Sequence, residues 1–128
     1  MATRSAIAIY DSTKKECITK AIYVHYDGYP EHVGATLVNH YRHKYQAEQL
    51  VNGGHLNTLG YSYDQCDPLK GYPFTWENLS WLGFIEAARR MGCEYVYSWY
   101  LQNARWECFG LGVTPINLEV HKIYEAAV

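Results

Sequence analysis

Two residues with acid–base side chains, His25 and Asp27, stand two positions apart where an apolar run ends. On a strand, residues at this spacing lie on the same side, an arrangement in which Asp27 could orient His25 or raise its basicity. A histidine oriented by a carboxylate is half of a general-base arrangement. The nucleophile is missing, because no G-x-S-x-G motif is present and no serine or cysteine is marked as activated. We therefore favour a structural or binding role, in which Asp27-Gly28 forms a turn and His25 hydrogen-bonds locally.

Three further histidines, His32, His40 and His43, follow in the next segment. His40 and His43 are three residues apart and would share a helix face if the helix reaches that far. The zinc-binding pattern H-E-x-x-H is missing, and no other ligand spacing is diagnostic. We therefore predict neither a metal site nor a cofactor.

Aromatic residues are unusually frequent, with 13 tyrosines and four tryptophans. Rings beside arginine can sandwich a nucleobase and hold a phosphate, and the same mixture forms hot spots in protein interfaces. Core packing is the simpler interpretation for most rings, since one face of a strand is normally core. The rings of the second half and their neighbouring arginines are Tyr61, Tyr63, Tyr72, Phe74, Trp76, Tyr95, Tyr97, Trp99, Tyr100, Trp106, Arg89, Arg90 and Arg105.

Glycine and proline mark the junction after the second predicted strand. Arg4–Tyr10 and Cys17–Tyr26 are rich in β-branched, aromatic or small apolar residues and predict two strands joined by six polar residues. Gly28 and Pro30 then break the pattern, and Pro30 suits the first turn of a helix. The spacing of apolar residues predicts that helix over Glu31–Arg42. Its buried face would consist of Val33, Leu37, Val38 and Tyr41.

The remaining elements lie on either side of a long irregular segment. Tyr45–Val51 predicts a second helix, and His55–Tyr72 a loop with one short strand or turn. A third helix is predicted to be capped by Thr75 and to stop at Gly92. Its expected features are Glu77 in the first turn, Arg89 and Arg90 in the last turn, and a stripe of Leu79, Leu82, Ile85 and Ala88. The last predicted elements are strands Cys93–Leu101 and Arg105–Val113 and a short helix, Asn117–Ala127.

These elements define a fold class. A chain of 128 residues is the size of one domain, and nothing in it marks a linker or a repeat. Neither predicted hairpin can bury its apolar face alone. We predict that residues 1–128 form a single α+β domain, with one antiparallel sheet formed from two hairpins and about three helices packed on one face.

Composition limits the cellular setting and the partners. The net charge of −2 provides no basic field and argues against nucleic acid. The four cysteines, at positions 17, 66, 93 and 108, form no C-x-x-C pair, and a reducing cytosol suits them. The N-terminus lacks the apolar core of a signal peptide, and no apolar run approaches a membrane span. We expect no membrane partner.

The segment Tyr23–Tyr41, YVHYDGYPEHVGATLVNHY, is the most specific motif in the chain. With the opening TRSAIAI, it resembles a family of small uncharacterised proteins of bacteriophages and prophages, whose usual signature is close to Y-x-H-W-D-G-Y-P followed by G-x-x-L-x-x-H-Y. Tyr26 stands where tryptophan is commoner. QAEQLVNGGHLNTLG and GCEYVYSWYLQNARWECF are similar to the family's short helix and closing hairpin, whereas Gly71–Trp81 differs from it.

The resemblance implies a viral source, the cytoplasm of an infected bacterial host as its location, and no particular mechanism. Small accessory phage proteins inhibit host or defence proteins, or sequester nucleotide signals. We predict a non-enzymatic protein that acts by binding, and slightly favour blocking a host or anti-phage defence protein over sequestering a small nucleotide-type ligand. The alternatives are a small hydrolase or nuclease that uses His25 and Asp27, and a structural or assembly protein. A homodimer or higher homo-oligomer is compatible with the aromatic content. The predicted binding residues are His25, Tyr26, Asp27, Tyr29, His40, Tyr41, Arg105 and Trp106.

Overall fold

The computed structural model describes residues 2–71, 76–111 and 113–123, which form an α+β fold with one eight-stranded sheet and three α-helices. No helix in these ranges is long and apolar enough to cross a membrane. The strands are β1 (Arg4–Tyr10), β2 (Ile18–Val24), β3 (Leu56–Thr58), β4 (Asp67–Pro68), β5 (Trp76–Leu79), β6 (Cys93–Tyr100), β7 (Arg105–Gly110) and β8 (Pro115–Ile116). The helices are α1 (Ala35–His40), α2 (Lys44–Asn52) and α3 (Trp81–Arg90).

The sheet is mixed, with strand order β4-β3-β2-β1-β6-β7-β8 and β5 beside β2. Both predicted hairpins, β1–β2 and β6–β7, are present and antiparallel. The prediction of a simple antiparallel sheet is wrong at its centre, where β1 and β6 pair in parallel with Ile7 opposite Tyr97. The long connection between the hairpins contains helices, and such a crossover returns the chain in the same direction.

Helices cover both faces of the sheet, which corrects the prediction that they pack on one face. Ile7 and Ile9 of β1 belong to the cluster of buried residues that contains α1 and α2. Ala6 and Ala8 belong to a second cluster, which contains α3. All four residues are at most 5% exposed. Because β1 is apolar at each of these consecutive positions, it presents two apolar faces, and each needs a covering layer.

The first predicted helix is confirmed in its position and in its buried face. A π-helical turn, Pro30–Gly34, continues directly into α1. A Cβ atom at Gly34 would lie 2.9 Å from Cδ2 of Leu118, so the start of this helix packs closely against the C-terminal part of the chain. The predicted buried residues, Val33, Leu37, Val38 and Tyr41, are at most 8% exposed.

The third helix begins later than predicted. Glu77 lies in β5, where it pairs with Lys20 of β2 at 3.5 Å. The cap is Ser80, whose Oγ accepts a hydrogen bond from the Gly83 amide at 3.0 Å. Thr75, the predicted cap, lies outside the described residues. Leu82 is 73% exposed and is not part of the apolar stripe. The free edge of β2 explains the difference, because pairing with it draws residues 76–79 into the sheet.

The outer edge of β2 is shared by two strands. β5 pairs with Ile18, Lys20 and Ala21, and β3 pairs with Val24. Between them the Tyr23 amide donates a hydrogen bond to Nδ1 of His55 at 2.9 Å. A side chain thus supplies an acceptor between the two short pairings. The predicted loop His55–Tyr72 also contains β4 and a 3-10 turn, Tyr63–Gln65, and Tyr72 itself lies outside the described residues.

The C-terminal part of the chain is less helical than predicted. In place of a helix over Asn117–Ala127, a single 3-10 turn spans Glu119–His121, and residues 124–128 lie outside the described ranges. The side chain of Asn117 accepts a hydrogen bond from the Glu119 amide at 2.9 Å. Leu118 is 5% exposed and anchors this segment in the core. We call Asn117–Ile123 the C-terminal strap.

Candidate ligand-binding site

The His25–Asp27 pair that a general-base arrangement would need does not form. Asp27 is exposed, with φ of 57°, and no hydrogen bond or ion pair joins it to His25 within the described chain. Nδ1 of His25 instead shares a hydrogen bond of 2.7 Å with the Tyr23 hydroxyl. Left-handed backbone at Asp27 interrupts the extended conformation in which residues two positions apart share a face.

Gly28 is held against two central strands. Its amide donates to the Thr3 carbonyl at 2.8 Å, and its carbonyl accepts from the Tyr97 hydroxyl at 2.7 Å. A Cβ atom at Gly28 would lie 2.7 Å from both Cβ and Oγ of Ser5. Burial raises the pKa of Tyr97, so its hydroxyl keeps its proton and remains a donor. These contacts explain Gly28 by packing, without a ligand.

The two tyrosines beside this corner lie at the surface. Tyr26 is 46% exposed and contacts His25 edge to face, with ring centroids 4.4 Å apart. Tyr29 is 37% exposed, and its carbonyl accepts from the amides of His32 and Val33. Their rings are available to a partner, whereas their backbone completes the turn.

The two residues that end the motif have different environments. Tyr41 is buried, and its hydroxyl donates to the Gly60 carbonyl at 2.8 Å. Burial, together with its contact to Cys66, raises the pKa of Tyr41. His40 is exposed and stacks on Tyr61 with ring centroids 4.6 Å apart. Tyr41 is therefore a structural residue, and His40 lies on the surface.

The structure brings Tyr41 together with a second predicted residue, Trp106. The Trp106 indole N–H donates to the Tyr41 carbonyl at 2.8 Å, which ties β7 to the end of α1. Trp106 also packs edge to face on Trp99, with ring centroids 5.3 Å apart. The two strands of the β6–β7 hairpin and the end of α1 thus form one rigid corner.

A cavity of about 240 Å³ lies beside this corner. Its walls come from α1, the β6–β7 hairpin and the C-terminal strap. Ala104, in the hairpin turn, contributes to the wall in a left-handed conformation with φ of 51°, which is uncommon for a residue other than glycine. The lining residues are Val38, Asn39, Arg42, Trp99, Ala104, Arg105, Trp106, Glu119, Lys122 and Ile123.

Three cationic side chains, Arg42, Arg105 and Lys122, line this cavity with a single acidic one, Glu119. Lys122 pairs with Glu119 at 2.8 Å, and Arg105 pairs with Glu107. Arg42 forms no ion pair within residues 2–71, 76–111 and 113–123. Its backbone is fixed, because the Arg42 amide donates to the side chain of Gln46 at 2.8 Å. The cavity therefore has an excess of positive charge and favours an anion.

Trp99, which lines the cavity, carries a buried hydrogen-bond donor. It is 2% exposed, and its indole N–H has no partner in the described part of the chain. The neighbouring Trp106 N–H, in contrast, is satisfied by the Tyr41 carbonyl. An unpaired buried donor costs about 1–3 kcal/mol, which an acceptor brought by a ligand or its water would recover.

The predicted binding residues thus fall into separate places. Arg105 and Trp106 line the cavity, and Tyr41 supports it through its carbonyl. His25, Tyr26, Asp27, Tyr29 and His40 do not line it. Sequence reasoning placed Trp99 among candidate stacking rings but did not find Asn39, Arg42 or Lys122. Arg42 could have been found, because it directly follows the predicted binding residue Tyr41 in sequence. Asn39 and Lys122 could not, because only the tertiary fold brings them to the hairpin.

The described part of the chain offers no cluster of metal ligands. Among residues 2–71, 76–111 and 113–123, no group of three or more His, Cys, Asp or Glu side chains is placed to hold a metal ion. The cationic side chains that line the cavity carry Nη and Nζ donors, which suit an oxyanion. Comparisons of the chain with protein-family models, with curated proteins and with solved structures find no match.

Proposed function

We propose that this protein acts by binding, and that it sequesters a small anionic ligand of nucleotide type in the cavity between α1, the β6–β7 hairpin and the strap. The observation that carries the proposal is the convergence of Arg42, Arg105 and Lys122 on one cavity, which Trp99 also lines. Arginine holds phosphate by paired hydrogen bonds, and lysine holds it as a point charge.

The size of the cavity restricts the ligand. Ligand pockets usually measure about 300–1,000 Å³, and this one measures about 240 Å³. A nucleoside monophosphate would fill it and keep part of its surface in solvent. Three cations, two of which pair with the carboxylates of Glu119 and Glu107, leave a net positive charge that suits a phosphate monoester better than a neutral nucleoside. We therefore place the phosphate against Arg42 and Arg105.

Titration calorimetry tests this proposal with nucleoside monophosphates, the corresponding nucleosides, and inorganic phosphate. We expect one saturable site, with monophosphates binding most tightly and nucleosides most weakly. Arg42→Met and Arg105→Met should each weaken monophosphate binding about tenfold or more, since a hydrogen bond to a charged group contributes about 1.5–3 kcal/mol.

Arg90→Met is the matched control, because Arg90 is exposed and pairs with Glu86 at 3.6 Å outside the cavity. It should leave the affinity unchanged. Wild-type protein that binds none of the three probe classes would overturn the proposal. Equal affinities for nucleosides and monophosphates would show that the cationic side chains do not hold a phosphate.

The second candidate function is inhibition of a host or anti-phage defence protein. The exposed tyrosines Tyr26 and Tyr29 beside the Asp27-Gly28 turn favour it, since tyrosine is enriched in interface hot spots. The bacteriophage source and the cytoplasm of the infected host belong to this proposal and depend on the motif resemblance. A hydrolase or nuclease has less support, because Asp27 does not contact His25.

One plating experiment separates the two binding functions. A susceptible phage is plated on bacteria that carry defence systems and express the protein. If the protein sequesters a signal, Arg42→Met should abolish the rescue of plating and the double variant Tyr26→Ala/Tyr29→Ala should preserve it. The opposite pattern would favour inhibition of a protein. No rescue by wild type in any defended strain would argue against a counter-defence role.

A further inference from the structure

We infer that Asn39 is a positioning residue that latches the C-terminal strap across the cavity and so delivers Lys122 to the ligand. This inference rests on the proposed function. Asn39 lies in α1 and lines the cavity. Its side chain joins α1 to residues more than 80 positions away in sequence.

The Asn39 amide has no hydrogen left for a ligand. Nδ2 donates to the Ala35 carbonyl at 2.8 Å and to the His121 carbonyl at 2.9 Å. These two bonds use both of its hydrogens. Oδ1 accepts from the Ile123 amide at 2.8 Å. Asn39 therefore contributes to binding mainly through the strap that it holds.

The two bonds to the strap lie on either side of Lys122. One holds the carbonyl of His121, and the other holds the amide of Ile123. The backbone of Lys122 is thereby fixed at both ends. Upstream, Leu118 is buried against the start of the first helix, and the Glu119–Lys122 ion pair stays within the strap. Nothing else among the described hydrogen bonds ties residues 121–123 to α1 or to the hairpin.

Loss of the latch should therefore remove the contribution of Lys122 without changing Lys122 itself. Asn39→Ala and Lys122→Met should each weaken monophosphate binding about fivefold, the upper value for a partly exposed charge. The double variant should bind no more weakly than Asn39→Ala alone. Residues that act as one unit show such non-additivity, whereas independent losses would multiply to about 25-fold.

Asn57→Ala is the matched control. Asn57 also tethers a distant carbonyl, that of Pro68, at 3.3 Å, but it does not line the cavity. It should leave the affinity and its salt dependence unchanged. Asn39→Ala should flatten the salt dependence as Lys122→Met does, because one cation no longer faces the ligand. A variant that is only less stable would present the same charges once folded, and its salt dependence of binding would remain that of the wild type.

Hydrogen exchange of the Ile123 amide tests the latch without a ligand. The amide should be protected in wild type and exchange faster in Asn39→Ala. Asn39→Asp keeps an acceptor for this amide but has no hydrogen for the Ala35 and His121 carbonyls, so its protection should fall between those of wild type and Asn39→Ala, which preserves the test if the alanine variant folds poorly. An Ile123 amide equally protected in wild type and Asn39→Ala would overturn the inference, and so would multiplicative losses in the double variant. If the wild type binds no probe, the proposed function is wrong. The exchange rates of the Ile123 amide in wild type and Asn39→Ala then still decide whether Asn39 holds the strap.

Discussion

At Gly28 the backbone approaches β1 more closely than any side chain permits. The space that a Cβ would need is occupied by Ser5 and by the Thr3 carbonyl, which would lie 2.9 Å away. We predict that Gly28→Ala lowers the free energy of unfolding by about 1–3 kcal/mol, the usual cost of overpacking. Urea denaturation measures this change.

Gly110→Ala is the control for this substitution. A Cβ at Gly110 would meet its nearest neighbour at 3.8 Å, an ordinary contact, so its effect should be small. Gly28→Ala with wild-type stability would show that the corner can move. In that case, packing would no longer explain the glycine in the motif.

The same residue scale shows where sequence reasoning was limited. Tyr41 could be predicted as buried, because its spacing from Leu37 and Val38 marks one helix face. A turn at Asp27-Gly28 was the favoured interpretation, but the left-handed backbone of Asp27 could not be predicted from its residue type. Asn39 was also unpredictable, since its partners His121 and Ile123 are brought to it only by the completed fold.

At the scale of elements, the edge of β2 depends on one imidazole. His55 accepts from the Tyr23 amide between the pairings of β3 and β5. We predict that His55→Ala lowers the free energy of unfolding by about 1–3 kcal/mol, because the amide of a buried residue loses its acceptor. Exchange of the Tyr23 amide should accelerate at the same time.

His40→Ala is a suitable comparison, because His40 is exposed and its ring contacts only the surface ring of Tyr61 among the described aromatic pairs. It should change stability by less than about 0.5 kcal/mol. An unchanged exchange rate of the Tyr23 amide in His55→Ala would indicate that another group replaces the imidazole as its acceptor.

The elements also explain why the strands and helices were predictable when their arrangement was not. Both hairpins have strong local patterns: β6 was found to within one residue, and β7 begins where predicted but ends at Gly110 and not at Val113. The parallel β1–β6 pairing depends on which edge of one hairpin meets the other, and the alternation of apolar residues carries no such information. The start of α3 was misplaced for the same reason, since β5 exists only because β2 offers it an edge.

At the scale of the whole molecule, the sheet separates two buried layers, and each contains a buried cysteine. Cys108 lies in the layer with α1 and α2, and Cys93 lies in the layer with α3. Burial raises the pKa of each thiol from 9.0 to about 12. The neutral thiol is thus favoured in the folded state, and its stabilising contribution is complete below pH about 9.

We predict an alkaline loss of stability from both layers. Because the folded pKa lies above the unfolded value, stability should fall between pH about 9 and about 12, by at most about 1.4 kcal/mol per pH unit for each thiol. Cys93→Ala removes one of these groups. The amount by which the unfolding free energy of wild type exceeds that of Cys93→Ala should therefore decrease as the pH rises from about 9 to about 12. Curves of unfolding free energy against pH that stay parallel for the two proteins would contradict the prediction.

The two outermost strands, β4 and β8, are each two residues long, and each contains a proline, Pro68 or Pro115. Proline has no amide hydrogen to offer to another strand. Short, proline-bearing margins resist the addition of further chains, and with them the growth of fibrils. Any self-association of this protein at high concentration should therefore not proceed through the β4 and β8 margins.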